Sequence, residues 1–257
     1  MNDGMAQEKA LAGRRVRDLA CFLPVGDTAF AIQFGDRIEP AINSLVHRAA
    51  ALMGELALEG LTETVPTFRS LLVHYDPRRT SAATLQARIA DLDLGETVTS
   101  GPARIWRIPV LYGFEAGPDL TEVAAITLLS EAEVVARHSQ IVYRVYVQGF
   151  LPGFAYLGDL PAELDLPRLT TPRVRVPAGS VAIAQRMTGI YPVESPGGWR
   201  LLGNTPVRLF DAGNTPPTLF TPGDGVRFVP VSADEHARIK AEVARGAYRP
   251  DCDEGAP

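Results

Sequence analysis

Arg173 and Arg175 stand two positions apart in "TPRVRVPAGS" (171–180), so in an extended segment both guanidinium groups project to one face. Planar guanidinium forks suit bidentate recognition of a carboxylate or a phosphate, and the flanking prolines restrict the chain that carries them. Ser180 closes the segment with a hydroxyl and a backbone N–H, but this is no G-x-S-x-G elbow and implies no serine nucleophile. A second dense stretch, "GIYPVESPGGWRLLGNTP" (189–206), sets the lone carboxylate of Glu194 among Tyr191, Ser195 and Trp199. Such a carboxylate near arginines orients an amide or handles a proton, whereas the bland reading is a rim ion pair. The third stretch, "GFLPGFAYLGDL" (149–160), carries Phe150, Phe154 and Tyr156 as an apolar wall. Its Gly149 and Gly153 let a bound group approach the backbone and are the expected points of cofactor contact. Its glycine spacing fits neither G-x-G-x-x-G nor G-x-x-x-x-G-K-[ST], so it is not a nucleotide fingerprint.

Two further candidates for proton handling or amide orientation lie just upstream. His138 falls at a helix end before the glycine-rich loop, and Gln148 ends the strand that leads into it. The other histidines, His47, His74 and His236, show no metal-pair spacing, so no metal site is expected. The lysines are Lys9 and Lys240 alone, against twenty-three arginines, so the stretch between them holds no Walker-type or Schiff-base lysine. Any anion bound there is expected to meet arginine, backbone N–H groups or a bound metal.

The elements that must position these residues follow from hydrophobic period and turn signals. The first eighteen residues read as a flexible terminus. Residues 19–95 read as a small α/β domain of ββαββα order, in which Ile42, Leu45, Val46, Ala49, Leu52, Met53 and Leu56 take the 3–4 spacing of an amphipathic helix. Thr80 or Ser81 caps a second helix with Leu85 and Ile89 inward. "GETVTSGPA" is the expected linker. Residues 96–245 then read as a β-rich domain opened by "RIWRIPVLY", with capping boxes at Asp119/Glu122 and Ser130/Glu133. The short strands "GSVAIAQR", "GIYPV", "WRLLG", "VRLFD" and "GVRFVPV" predict a barrel or sandwich. A helix from Ser232 closes the domain, and residues 246–257 read as a flexible tail.

Composition excludes several classes. The 257 residues carry a net charge of −5 and give no basic footprint for nucleic acid. Cys21 and Cys252 form no disulfide framework, and no apolar run reaches the length of a membrane span. Cytoplasm is the default expectation, and a homo-oligomer stays open.

Taken in order, "HSQIVYRVYVQGFLPGFAYLGDLP", "PRLTTPRVRVPAGSVAIAQRMTGIYPVESPGGWRLLGNTPVRLFD" and "PGDGVRFVPV" closely resemble the allophanate hydrolase subunit 1 family, which includes the B-type component of 5-oxoprolinase and the kinase inhibitor KipI. "VGDTAFAIQFGD", "VPTFRSLLVHYDP" and "IPVLYG…GPDL" match its amino-terminal part, so the resemblance runs from about residue 20 to 232. It implies an α+β protein: a small α/β domain followed by a cyclophilin-like β-barrel. It also implies a C-type partner, the allophanate hydrolase subunit 2 kind of protein, and an A-type partner. Together these open the 5-oxoproline ring to L-glutamate with ATP, and with Mg2+, held by the complex or by this chain. One departure is Phe114, where the family usually carries a second glycine.

A lactam is a poor electrophile, so the expected use of ATP is activation of the amide oxygen, a step that calls for charge stabilisation more than for a protein nucleophile. On residue type and placement, Arg173 and Arg175 grip the substrate carboxylate or a transferred phosphate. His138, Gln148 and Glu194 handle protons or orient the amide, and Phe154, Tyr156, Ser180, Tyr191 and Trp199 shape the pocket. The competing expectations are a KipI-like inhibitor of a sensor histidine kinase, and a carboxyltransferase or allophanate hydrolase component working on urea-type amides.

Overall fold

The computed structural model describes residues 15–95, 102 and 104–254, which fall into two compact units divided at residue 100. Most of the expected linker, and residues 1–14, lie outside the described residues. The first unit runs α1 (Val16–Leu19), β1 (Cys21–Val25), β2 (Ala29–Gln33), α2 (Pro40–Glu55), β3 (Leu61–Pro66), β4 (Ser70–Tyr75) and α3 (Ala82–Ala90). Its four strands form one antiparallel sheet in the order β1-β2-β4-β3. Proline opens α2, where its missing N–H costs nothing. The helix buries Leu45, Val46, Ala49 and Met53 with Phe30 and Ile32 of β2 and Leu71 and Val73 of β4. Leu56 lies past the helix end and is exposed. Ser81 caps α3 by accepting the Thr84 N–H, and Leu85 and Ile89 point inward. The expectation of a flexible terminus through residue 18 fails at Val16, which is buried in this core and whose N–H donates to the Leu92 carbonyl.

The second unit runs β5 (Arg104–Tyr112), α4 (Leu120–Thr127), α5 (Glu131–Ser139), β6 (Tyr143–Gln148), β7 (Ala155–Gly158), a 3-10 turn (Ala162–Leu164) and β8 (Arg173–Val176). It continues with β9 (Ser180–Ala184), β10 (Met187–Ile190), β11 (Ser195–Gly197), β12 (Arg200–Asn204), β13 (Gly225–Pro230), α6 (Ala233–Ala244) and β14 (Cys252–Glu254). Seven strands close a barrel in the order β12-β9-β10-β7-β6-β13-β5, with β5 returning to β12. The molecule is therefore α+β: one unit holds a small antiparallel sheet and the other a closed barrel. Closure removes the free sheet edges, and the interior fills with Ile108, Val110, Tyr143, Val145, Leu157, Val181, Ile183, Leu202, Val226 and Phe228.

β5 and β13 pair in parallel, the other barrel pairs being antiparallel. Asp224, just before β13, locks that seam. Its carboxylate accepts two bonds from Arg104, at 3.0 Å each, one from Trp106 Nε1 at 3.0 Å and one from the Thr221 N–H at 2.8 Å. β8 and β11 form a two-stranded ribbon of their own.

Three expectations are corrected here. "VRLFD" is not a strand, because Pro206 offers no N–H and Asp211 starts a turn by accepting the Gly213 N–H; only Phe210 bridges, to Thr218. The tail is not wholly flexible, since Cys252–Glu254 pair with Arg104–Trp106 of β5. Ser130 and Glu133 form the expected capping box, and Ser232 accepts the Glu235 N–H, but Asp119 makes no such bond with its helix. Glu122 instead approaches buried Arg200 at 2.8 Å, a charge contact without hydrogen-bond alignment.

Candidate functional site

An open cleft of about 830 Å³ lies on the barrel unit. β8 and the turn after it supply Arg173, Arg175, Pro177, Ala178 and Gly179, β9 starts with Ser180, and β12 contributes Leu201 and Asn204. The alternation of β8 places both arginines on this cleft while Val174 between them is exposed. Gly179 takes φ +80° and lies so close to the Thr205 carbonyl that a Cβ would meet it at 2.1 Å, so glycine is required where the turn presses on the chain after β12.

Each arginine is already answered by an acid. Arg173 Nη2 donates to Asp119 Oδ1 at 2.5 Å, and Asp119 Oδ2 accepts the Leu201 N–H at 2.6 Å. The buried Asp119 thus ties β8 to β12 and the start of α4, which is why it is not free to cap its helix. Arg175 Nε donates to Glu194 Oε2 at 2.7 Å, an exposed pair across the β8–β11 ribbon. Glu194 therefore sits at the rim, beside Arg175.

The aromatic residues gather, but in a different place. Phe154 is buried at the hub of a cluster, with ring centroids of Phe150, Tyr156, Tyr191 and Trp199 at 5.6, 5.0, 5.3 and 5.6 Å, all strongly inclined to it. Edge-to-face contacts of this kind stabilise by about 0.5–1.5 kcal/mol each beyond area burial. Burial raises the Tyr191 hydroxyl pKa, opposed by a hydrogen bond from the Trp199 backbone. None of Phe154, Tyr156, Tyr191 and Trp199 lines the cleft, so their expected part as its wall is corrected: the group is a packed corner. It is joined to the cleft through the Arg173 Nη1 bond to the Trp199 carbonyl at 3.5 Å and through Tyr191, whose carbonyl accepts the Gly179 N–H at 2.7 Å and whose N–H donates to the Ser180 carbonyl at 2.9 Å. Gly149 and Gly153 belong to the β6–β7 turn, where the Gly149 N–H donates to the Phe154 carbonyl and Gly153, at φ +82°, abuts Phe210. Both glycines serve the backbone of that turn.

The three proton-handling candidates do not converge. His138 is completely buried in the barrel core and stacks on Phe228 at 4.6 Å. The Thr188 hydroxyl donates to the Ala182 carbonyl, so it accepts from His138 Nε2–H at 2.9 Å, which leaves Nδ1 to accept the Tyr112 O–H at 2.7 Å. Both ring nitrogens are engaged, burial pushes the imidazole pKa down to about 3, and burial raises Tyr112 well above its ordinary value. His138 is a neutral core residue and cannot reach a bound molecule. Gln148 Nε2 donates to the Phe220 carbonyl at 2.6 Å, away from the cleft lining.

Sequence reasoning missed the opposite wall of the cleft. His236, Lys240, Val243 and Ala244 of α6 line it, together with Arg208 and Glu115. The only signal was their spacing of four, three and one, one face of a helix, and nothing local says what that face meets. The Asn204 side chain donates to the Ala178 carbonyl at 3.0 Å and its oxygen stands 3.2 Å from His236 Nε2, tying α6 to the turn after β8. Burial first, then Lys240, lowers the His236 pKa, so it is neutral near pH 7. Among the described residues no cluster of three or more His, Cys, Asp or Glu side chains is placed to hold a metal ion, and no helix is long and apolar enough to cross a membrane.

Residues 20–220 match the family model described as the carboxyltransferase domain, subdomain C and D. The B-type subunit of 5-oxoprolinase from Bacillus subtilis is 41% identical over 232 residues, 85% of this chain and 95% of that protein. Its namesake from Escherichia coli O157:H7 is 39% identical over 210 residues, 82% and 95% of the two chains. The crystal structure of TTHA0988 superposes with a TM-score of 0.71 at 38% identity, covering 80% of this chain, which spans 40% of the TTHA0988 chain.

Proposed function

The chain belongs to the carboxyltransferase domain family, subdomains C and D, and from that premise we propose that it is the B-type subunit of an ATP-dependent 5-oxoprolinase. The observation that carries the reading is the match to two proteins of that name across 95% of their length. The complex hydrolyses the lactam C–N bond of 5-oxoproline: water supplies the oxygen that turns the carbonyl carbon into the side-chain carboxylate of L-glutamate and the proton that the leaving ring nitrogen takes up as an amine, while ATP is hydrolysed to ADP and phosphate. Partners of C and A type act with it.

The cleft's donor set fits a small anion. Guanidinium and ammonium groups line it, and the Gly179 turn holds backbone close to its floor. ATP is held by the assembled complex or by this chain, and the part proposed for this cleft is to bind and orient the amide. Glu194, held by Arg175, lies outside the cleft lining, and the pair fixes the β8–β11 ribbon at its rim. Arg173, tied to the buried Asp119, holds β8 against β12 and so keeps the cleft wall in place.

Co-expression with the C- and A-type proteins of the same genome, followed by an ATP-dependent assay of glutamate release from 5-oxoproline, tests the reading. Turnover only with all three components and ATP supports it. A complex that forms and turns over nothing removes it and favours the kinase-inhibitor alternative.

A further inference from the structure

The cations of the cleft differ in what already answers them. Arg173 is held by Asp119 at 2.5 Å, Arg175 by Glu194 at 2.7 Å and Arg208 by Asp211 at 3.1 Å. Lys240 has no carboxylate within reach among the described residues. The acids of its own helix are spent elsewhere: Glu235 and Glu242 both pair with Arg238, at 2.6 and 2.5 Å, and Arg238 is not part of the cleft lining. The face of α6 turned to the cleft is His236, Lys240, Val243 and Ala244, and Asn204 anchors it through His236. Lys240, exposed to solvent at the cleft's edge on an anchored helix face, is thus the cleft's cation that no carboxylate already answers.

One acid lines the same cleft. Glu115, in the loop after β5, has no hydrogen-bond or ion-pair partner among the described residues. A cleft with one unanswered cation and one unanswered anion suits a ligand that carries a carboxylate together with an N–H. It disfavours a phosphate dianion, which Glu115 repels.

We infer that Lys240 is the residue that binds the carboxylate of the cleft's ligand, an α-amino acid or its lactam, with Glu115 facing the ligand's N–H. The choice of 5-oxoproline as probe rests on the reading above; the assignment of the charges does not. Lys240 replaces Arg173 as the anion anchor, because Arg173 turned to a ligand would leave the buried Asp119 carboxylate unanswered, and it is preferred to Arg175, which is already paired with Glu194.

Two lysines in the chain make the test direct, since Lys9 is an internal reference for amine reactivity. The full chain is acetylated at limiting reagent and the two sites are read by mass spectrometry, with 5-oxo-L-proline, inorganic phosphate or neither present. Lys240 should be protected at least fivefold by saturating 5-oxo-L-proline and much less by phosphate, while Lys9 stays unchanged. By calorimetry on the same chain, Lys240→Gln should weaken 5-oxo-L-proline binding at least tenfold, Lys240→Arg should restore part of it, and Glu115→Gln should weaken it severalfold.

Equal labelling of Lys240 with and without 5-oxo-L-proline, or Lys240→Gln binding within twofold of the parent, overturns the inference. Stronger protection by phosphate overturns the ligand class. Protection of Lys240 alongside a complex with no 5-oxoprolinase turnover would remove the proposed function and leave this assignment standing.

Discussion

Arg173 and Arg175 occupy alternate positions of one short strand, yet their loss should have different consequences. Arg175 and Glu194 are both largely exposed, so Arg175→Ala should cost less than about 1 kcal/mol of stability. Arg173→Ala leaves the buried Asp119 carboxylate without its counter-charge and should cost about 3 kcal/mol, read as a lower urea midpoint at unchanged m-value. His138 gives a pH signature. The unfolded chain takes up a proton on this ring near pH 6.5, whereas the fold excludes it until about pH 3. The contribution is therefore intact above pH 6.5 and shrinks as pH falls toward 3, by about 2 kcal/mol at pH 5. His138→Gln should be less stable than the parent at pH 7 but lose about 2 kcal/mol less between pH 7 and pH 5; a parallel loss in both proteins would contradict the burial argument. The arginine face could be read from alternation along "RVRV", because that rule is local. That one histidine would be sealed in a barrel and another would line a cleft could not, because burial depends on which strands enclose the residue.

The elements divide in the same way. Helix starts at Ser81, Ser130 and Ser232 were readable because a hydroxyl and an N–H three residues on settle them locally. Asp119 failed as a cap because Arg173 and the Leu201 N–H, far along the chain, take its carboxylate. The β5–β13 seam is another long-range product. Asp224→Ala would strand Trp106 Nε1 and the Arg104 guanidinium together, and a loss of about 2–3 kcal/mol is expected by chemical denaturation. Phe114, noted in the sequence for standing where relatives carry glycine, adopts φ +49° with 89% of its surface exposed. Phe114→Gly gives up little packing and relieves a left-handed backbone, so stability should hold or rise by up to about 1 kcal/mol, read as an unchanged or higher urea midpoint.

At the scale of the whole molecule, each unit owns a separate set of buried side chains. The first has sheet, two long helices and the buried Val16 within residues 15–95, so that segment expressed alone should give a dispersed amide spectrum and a cooperative thermal transition. A collapsed spectrum without a transition would show its core to be insufficient. A small α/β unit followed by a β-rich one was readable from the period of the apolar residues, which left barrel and sandwich open until the family resemblance pointed to a barrel; the ring order was not readable, since short strands specify their neighbours only through closure. That closure has a consequence for synthesis. β5 leads the barrel in the chain but hydrogen-bonds to β12, β13 and β14, all of which leave the ribosome long after it. Its backbone groups wait unpaired for most of the unit's translation, a high-contact-order arrangement that folds slowly and exposes a sticky strand meanwhile. Recovery of soluble protein should therefore respond to holdase chaperones and to growth temperature, with the amino-terminal unit already folded while the barrel is still open.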